Sequence, residues 1–396
     1  MAMAARTVLI LGAGVGGVVA ASLLRRELAP EDRVTLVDAR SAHEFRPTLL
    51  PVAAGLMGAE QARRGFAGLA RQGVEIVSGV VTRIAPDRRA AVVAGTERTA
   101  DALIVALGAA TAPERIPGLA QIGCDLYALS GAQEAARRVG AMHRGRIAVT
   151  VPAGQCSCPL APYEYAMLVE SGLRVRGLRD HVELSLYTAE TAPLPAAGPA
   201  VAAAMREWLL GRGIAFLPGL PLERVDPAAR TLTFTGGLCA PFDVLIAVPP
   251  HEAPPAILDS PLAGPLGWAP VDIHTCETGF PNVFVLGDAA ALSLPSGHFL
   301  PKQGVFAHWQ ARAVARTVAA RLRRGGPEGH FDGEGEIFIE TGDGAAAVVC
   351  ARFYDRPAPT VLVMHPTPHW HAAHVAVGQG WWRAWFPDSE APAVSP

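Results

Sequence analysis

Lysine is almost missing from this chain: among its 34 Lys and Arg residues only one, Lys302, is a lysine. The two residue types exchange readily on a solvated surface, but only lysine supplies a compact ammonium point charge. A chain that uses arginine everywhere else therefore indicates a need for an ammonium group at this position. Survival of one lysine through compositional drift is the alternative interpretation.

Charge in general is scarce, and its balance excludes some classes of protein. Charged residues make up 18% of the 396 residues and the formal net charge is −2, so nothing predicts a nucleic-acid partner. No apolar run approaches the length of a membrane-spanning helix. The six residues before the first predicted strand leave no room for a secretory signal. These features predict a cytoplasmic protein or one bound peripherally to a membrane.

Cysteine is also sparse, with six residues and none before Cys124. The spacing shows no disulfide framework, which predicts a reducing compartment. In such a compartment a disulfide is catalytic more often than structural.

A glycine motif lies near the N-terminus. An apolar strand leads into G-x-G-x-x-G at Gly12, Gly14 and Gly17, and a helix and a second strand ending in Asp38 follow. Gly12 permits the tight turn, Gly14 lets the backbone approach a pyrophosphate, and Gly17 lets helix and strand pack closely. The helix N-terminus offers N–H groups to the phosphates, and Asp38 can accept from a ribose hydroxyl. The order of these elements predicts a dinucleotide-binding fold.

Two later apolar strands end in Gly108 and in the pair Gly287-Asp288. The Gly-Asp pair resembles the segment with which flavoproteins hold the ribitol of FAD, so FAD is the predicted dinucleotide. Lys302 and the helix after it would then face the flavin edge that becomes negative on reduction. No C-x-x-x-x-C occurs in the first helix, which argues against the disulfide reductases that carry their redox pair there.

The predicted fold class is α/β, with two three-layer Rossmann-like domains and a small C-terminal α+β segment. Residues 1–112 and 250–325 form the discontinuous FAD-binding domain, and 113–249 form a second, NAD-type domain without its glycine motif. Residues 326–396 form a hairpin and an aromatic tail.

A cysteine turn replaces the glycines of the second domain. It contains Cys156 and Cys158 and leads into a helix that carries Glu164. Cys158 lies just before the helix N-terminus, where a thiolate is stabilised and its pKa falls, so we predict a reactive thiol. A structural role explains Cys156 better and is the alternative for Cys158. Glu164 is either a proton carrier or an exposed carboxylate at a helix start.

The C-terminal part combines a hairpin with aromatic and histidine clusters. Cys350 falls on the second hairpin strand, where a plain core role is the alternative. Four histidines follow without an acid or cysteine at metal-ligand spacing, so no metal site is predicted: His365, His369, His371 and His374. The tail aromatics could contact a membrane interface or close a quinone pocket, or else pack against the domain or a second subunit of a homodimer: Trp381, Trp382, Trp385 and Phe386.

Together these segments resemble sulfide:quinone oxidoreductases and the flavin subunit of flavocytochrome c sulfide dehydrogenase. Residues 158–164 are similar to the active-site segment C-P-P-x-P-Y-E of the latter. Residues 286–288 and 300–304 are similar to the family's G-D and P-K-x-G segments, which adds Gln303 to the predicted FAD contacts. Phe45-Arg46-Pro47 resembles the family segment beside the flavin dimethylbenzene ring, which adds Pro47.

The resemblance implies an FAD enzyme that oxidises sulfide, or a related sulfur nucleophile, and reduces quinone. Cys158 and Cys350 would be its redox pair: hydrosulfide attacks their disulfide, forms a persulfide and displaces a thiolate that reduces the flavin. Glu164 would manage protons. A separate cytochrome is the alternative acceptor, because the chain has no C-x-x-C-H haem site. Two other functions stay open, a type II NAD(P)H:quinone dehydrogenase and a non-catalytic flavin-binding subunit.

Overall fold

A five-stranded parallel sheet forms the first half of the fold in the computed structural model, which describes residues 5–151, 153–323 and 325–387. Its strands, in spatial order, are Val283–Val285, Ala102–Val105, Thr7–Leu11, Arg33–Asp38 and Glu75–Ser78. The central strand is buried from Val8 to Leu11, which explains why its sequence is apolar without alternation. Helices Val15–Glu27 and Gly304–Arg323 pack against each other beside this sheet.

A second parallel sheet of five strands forms the other half. Its strands, in spatial order, are Cys124–Asp125, Val244–Ala247, Gly145–Val151, Val182–Thr188 and Ala215–Leu217. Its helices are Leu129–Gly140, Ala161–Val175 and Pro199–Gly211. Two parallel sheets with helices confirm the predicted α/β class. A strand from residues 283–285 completes the first sheet, as a discontinuous first domain requires, and the domain boundaries themselves stay predictions.

Each parallel sheet carries a small antiparallel sheet, and shorter elements connect them. The antiparallel strands are Val81–Ala85, Ala90–Val93 and Thr96–Thr99 in the first half, and Leu222–Asp226, Thr231–Phe234 and Cys239–Pro241 in the second. The remaining two-stranded pairs are Ala42–Glu44 with Arg63–Gly65, Ala110–Thr111 with His251–Glu252, and Ala269–Pro270 with Ala290–Ala291. The short α-helices are Leu49–Ala53, Ala67–Arg71, Leu119–Ile122 and Pro255–Leu258.

The C-terminal part is an antiparallel sheet of three strands followed by a helix. The strands are Glu334–Gly342, Ala345–Arg352 and Thr360–Thr367, and the helix is Pro368–Trp385. The predicted hairpin is confirmed, whereas the third strand and the 18-residue helix were not predicted as elements. Residues 388–396 of the predicted segment lie outside the described residues.

The aromatic tail packs into the protein. Trp382, Trp385 and Phe386 are 3%, 5% and 2% exposed. Trp381 stacks on Phe45 with ring centroids 4.4 Å apart. Contact of the three buried rings with a membrane, one of the predicted alternatives, is therefore wrong, because burial against the first domain removes them from the surface. Along the described chain, helices long and apolar enough to cross a membrane are absent.

Candidate functional site

A cavity of about 2170 Å³ opens along the carboxyl ends of the first sheet and reaches the C-terminal sheet and helix. Open parallel sheets bind their ligands outside these strand ends. The cavity brings together most of the residues that the sequence singled out: Gly12, Gly14, Asp38, Pro47, Gly108, Cys158, Glu164, Gly287, Asp288, Gln303 and Cys350. Gly17 and Lys302 are not among its described lining residues.

The glycine turn has two faces with different surroundings. Gly12 has φ +97°, and a Cβ there would lie 2.4 Å from the carbonyl oxygen of Ala106. A Cβ on Gly17 would lie 1.8 Å from the oxygen of Gly12, so Gly17 serves helix–strand packing. A Cβ on Gly14 would have no atom within 4 Å. The turn is therefore closed towards the protein and open towards the cavity, as a phosphate-bearing ligand requires.

Asp38 is held as a carboxylate at the end of its strand. It accepts hydrogen bonds from the backbone N–H of Ala13 at 2.7 Å and of Arg40 at 2.8 Å, and from Nε of Arg40 at 3.1 Å. Burial alone would raise the pKa of Asp38, but the hydrogen bonds and charge of Arg40 and the N–H of Ala13 lower it overall. Arg40 was missed from sequence, although its place two residues after the acid could have indicated it.

Gln303 presents an unsatisfied donor. The residue is 5% exposed, and its Nε2 has no hydrogen-bond partner among the described residues. A buried amide without a partner is costly, and a ligand in the cavity can satisfy it. The open glycine turn, the Asp38 carboxylate and this amide together fit a bound dinucleotide.

Lys302 lies behind the cavity wall. Its Nζ donates to the carbonyl oxygens of Asp288 at 2.5 Å and Ala290 at 3.0 Å, and lies 3.7 Å from the ring centroid of Trp268. Burial lowers the pKa of Lys302 to about 8, against the charge of Asp288. Two carbonyls and an aromatic face hold this ammonium, and its position beside a bound flavin stays a prediction.

Hydrogen bonds join the cysteine turn of the second half to the first half of the fold. The N–H of Cys158 donates to the oxygen of Lys302 at 2.5 Å, and Oγ of Ser157 donates to Asp288 at 2.5 Å. The carbonyl oxygen of Cys158 accepts from the hydroxyl of Tyr127 at 3.1 Å. Cys158 has φ +43°, a left-handed conformation that costs a non-glycine residue about 1–2 kcal/mol. The turn is thus held in a strained form that places Cys158 on the cavity wall.

The pKa of the Cys158 thiol is opposite to the prediction. Burial raises it to about 12, with the charges of Glu164 and Asp288 adding to the effect. The N–H groups of Ala161 and Leu160 lower it by less. The predicted low pKa is wrong, because burial beside two carboxyl groups outweighs the helix start.

Cys350 lines the same cavity. It is half-buried on strand Ala345–Arg352, between Glu336 and Leu362 of the neighbouring strands. Burial raises the pKa of its thiol, and the charge of Glu336 adds to this. All six cysteines are free thiols, so the predicted disulfide between Cys158 and Cys350 is not formed in this structure.

Glu164 is buried rather than exposed at its helix start. Its side chain lies on the cavity wall, the residue is 7% exposed, and its Oε1 accepts from the backbone N–H of Glu340 at 3.2 Å. Burial raises the pKa of Glu164 to about 8, the charge of Glu340 raises it further, and the N–H of Glu340 opposes both. Glu164 therefore holds a proton at neutral pH, beside Cys158.

We expect a Glu164→Gln variant to gain stability relative to the wild type as pH rises. The pKa of Glu164 rises from the ordinary 4.5 to about 8 on folding. The protonated form is thus favoured by folding, and this contribution is complete below about 4.5 and lost as pH rises through about 8. Between about pH 5 and about pH 8 the difference in the free energy of unfolding between the variant and the wild type should change by on the order of 3 kcal/mol. Urea unfolding of both proteins measures it.

The matched control is Glu207→Gln, an exposed glutamate on helix Pro199–Gly211. The free energy of unfolding of this control should differ from that of the wild type by the same amount at both pH values. A flat difference for Glu164→Gln as well would contradict the burial-driven rise in pKa.

A trio in the C-terminal part was not predicted. Nδ1 of His371 and Nδ1 of His374 each lie 2.8 Å from an oxygen of Glu340. The sequence contained a signal, since the two histidines lie one helical turn apart. Glu340, however, lies 31 residues before His371 and carries no local pattern that singles it out.

Comparisons with known proteins show the family and the fold. A family model described as pyridine nucleotide-disulphide oxidoreductase matches residues 6–313. The mitochondrial sulfide:quinone oxidoreductase of Mus musculus is 26% identical over 349 residues, covering 85% of this chain and 75% of that protein. The one from Dictyostelium discoideum is 25% identical, covering 72% of this chain and 65% of that protein.

A solved structure extends the similarity to the whole fold. The sulfide:quinone oxidoreductase from Aquifex aeolicus superposes with a TM-score of 0.86 at 20% identity, covering 99% of this chain and 93% of that one. At this identity the likeness concerns the fold. The family model covers well over half of the chain, and its members are flavoproteins. The chain therefore belongs to the pyridine nucleotide-disulphide oxidoreductase family and is an oxidoreductase that resembles the sulfide:quinone oxidoreductases.

Proposed function

We propose that this protein binds FAD in the cavity, oxidises hydrosulfide or a related sulfur nucleophile at Cys158 and Cys350, and passes the electrons to quinone. One observation carries the proposal: two thiols line the same cavity as an open glycine turn. The names of the mouse and Aquifex relatives support the choice of donor and acceptor.

The residues that would hold FAD follow from the shape of the cavity. The turn at Gly12 and Gly14 and the helix behind it would receive the pyrophosphate, and Asp38 the ribose hydroxyls. Gln303 would donate its unpaired amide N–H, and the turn at Gly287 and Asp288 would lie along the ribitol. Further contacts would come from Pro47 and Gly108. When bound, FAD supplies a two-electron acceptor beside the sulfur centre.

The sulfur step begins from the oxidised form of the pair. Hydrosulfide attacks one sulfur of a Cys158–Cys350 disulfide; a new S–S bond forms, the old one breaks, and a persulfide and a thiolate result. When the persulfide and the thiolate then join through a new S–S bond, the centre gives up one proton and two electrons, and FAD would accept the electrons. Glu164 is suited to exchange that proton, because its pKa of about 8 lies near working pH and its side chain lies beside Cys158.

The acceptor would enter where the cavity wall is apolar and exposed. Trp309, Leu362 and Val377 line the cavity and are 47%, 59% and 56% exposed. Large exposed apolar side chains that line a cavity suit a binding surface. This surface suits an apolar quinone, and it replaces the buried tail rings as the site of a peripheral membrane contact.

The second half is poorly suited to a nicotinamide dinucleotide. Cys156, Ser157 and Leu160 are buried in the turn that would have to cradle a pyrophosphate. The turn is also tied to Lys302 of the first half. A βα turn of this kind leaves little room for phosphates, which disfavours an NADH dehydrogenase.

Stopped-flow absorbance of the purified holoprotein tests the proposal. Sulfide should bleach the visible flavin band at least about a hundredfold faster than NADH, and a short-chain quinone should restore it. Rapid bleaching by NADH with none by sulfide would establish the type II dehydrogenase instead. Bound FAD that neither donor reduces would establish a non-catalytic subunit, and reoxidation by a cytochrome but not by quinone would change the acceptor.

A further inference from the structure

Glu340 is clamped by two histidines of the C-terminal helix. Its side chain is 10% exposed; its Oε2 lies 2.8 Å from Nδ1 of His371 and its Oε1 lies 2.8 Å from Nδ1 of His374. A carboxylate can only accept hydrogen bonds, so each Nδ1 carries the hydrogen. Both carboxylate oxygens are therefore occupied from one side, and the side chain is fixed in place.

The backbone of Glu340 contacts Glu164, which lies beside Cys158. The backbone N–H of Glu340 donates to Oε1 of Glu164 at 3.2 Å. The charge of its side chain is the second cause, after burial, of the raised pKa of Glu164. Glu340 thus acts on Glu164 twice, with a dipole that favours the ionised form and a charge that disfavours it.

We propose that Glu340 is a positioning residue: its carboxylate, held by His371 and His374, sets the pH at which Glu164 exchanges a proton with the sulfur centre. The inference rests on the proposed function where it gives Glu164 a role in turnover. The contact between Glu340 and Glu164 does not depend on that role.

Other ionisable groups nearby leave this assignment intact. On the side of Glu164, the neighbouring group is the Cys158 thiol. Further along the strand of Glu340 lies Glu336, opposite Cys350. At the hairpin end the charge of Asp343 is paired with Arg174 at 2.6 Å and Arg212 at 3.0 Å.

Packing around the trio also argues for a fixed clamp rather than a metal site. The ring of Phe338 stacks on His374 with centroids 5.0 Å apart. Groups of three or more His, Cys, Asp or Glu side chains arranged for a metal ion are absent from the described ranges.

The decisive experiment follows the proton on Glu164 directly in the resting holoprotein. Infrared difference spectra across pH show a protonated carboxyl band, and its loss in Glu164→Gln assigns it. In Glu340→Gln the midpoint of this band should fall by about one pH unit or more, a tenfold loss of proton affinity. Glu340→Asp keeps the charge and should restore the midpoint. Glu207→Gln should leave it at the wild-type value.

The outcomes separate the two proposals. A folded Glu340→Gln protein whose midpoint stays within roughly 0.3 unit of the wild type overturns the inference, whatever the enzyme oxidises. If sulfide does not reduce the flavin, the proposed function fails while the infrared result still decides this one. Where sulfide does reduce the flavin, the pH profile of the reduction rate should shift in Glu340→Gln by the same amount as the midpoint of Glu164. If Glu340→Gln does not fold, a His371→Asn/His374→Asn protein, which no longer holds the Glu340 carboxylate in place, should shift the midpoint of Glu164, and an unchanged midpoint is the contrary result.

Discussion

A Cys158→Ser variant should lose sulfide-dependent reduction of the flavin by at least about a thousandfold, the scale on which removal of a reacting nucleophile acts. A hydroxyl cannot form the S–S bond on which the proposed step depends. The protein should still fold and retain its cofactor. The turn is held by backbone groups, with the N–H of Cys158 on Lys302 and its oxygen on Tyr127, and serine keeps both. Stopped-flow absorbance with sulfide measures the rate.

The matched control is Cys239→Ser, at an exposed cysteine on strand Cys239–Pro241 outside the cavity lining. It should reduce at the wild-type rate. Cys350→Ser should lose sulfide-dependent reduction of the flavin as Cys158→Ser does, because thiol–disulfide exchange needs both sulfurs. A Cys158→Ser protein that sulfide reduces normally would remove the sulfur chemistry from this site.

The second large effect concerns the cofactor. Gly14→Ala should weaken FAD binding by about ten- to a hundredfold, equivalent to roughly 1.4–2.7 kcal/mol. The added Cβ has no protein atom within 4 Å and projects where the proposed pyrophosphate lies. The apoprotein should therefore fold normally, and the loss should appear in binding alone. Fluorescence titration of apoprotein with FAD measures the affinity, and circular dichroism checks the fold.

Gly172→Ala supplies the comparison. Gly172 lies in helix Ala161–Val175, and its Cβ would also meet no atom within 4 Å. Because alanine is the better helix former, this variant should gain up to about 1 kcal/mol of stability and bind FAD as the wild type does. Unchanged affinity in Gly14→Ala would mean that the phosphates do not pass this turn.

The glycine motif was the part of the site that sequence predicted best. Each role it assigned concerns the backbone: the left-handed turn at Gly12, the open side of Gly14 and the close contact beneath Gly17. Such roles are decided within a few residues along the chain, so a local pattern suffices to find them. The hairpin that carries Cys350 was predicted for the same reason.

The direction of the Lys302 side chain could not be predicted from the local sequence. The scarcity of lysine singled out this position, but it gave no information on where the side chain points. Trp268, whose ring lies under the ammonium, is 34 residues away in the chain, and the accepting carbonyls belong to the turn at Asp288 and Ala290. Which side of a wall a side chain faces depends on tertiary contacts of this kind.

The electrostatics of the sulfur site could not be predicted for a related reason. The position of Cys158 before a helix suggested a low pKa, which holds for an accessible helix end. Here the thiol is shut in beside Glu164 and Asp288, and Asp288 is 130 residues away in sequence. Glu340 influences Glu164 across a separation of 176 residues. Burial and long-range charge therefore reversed a rule that rests on the neighbouring helix alone.

The enclosure of Lys302 has a practical consequence for handling the protein. Acylating reagents and amine-directed crosslinkers need an accessible, unprotonated side-chain amine, yet the chain's one ε-amine is 6% exposed and engaged with two carbonyls. Succinimide-ester labels should therefore leave the folded protein nearly unmodified beyond its N-terminal amine. Slow acylation of that single lysine would then report, by intact mass, each opening of the wall behind the cavity.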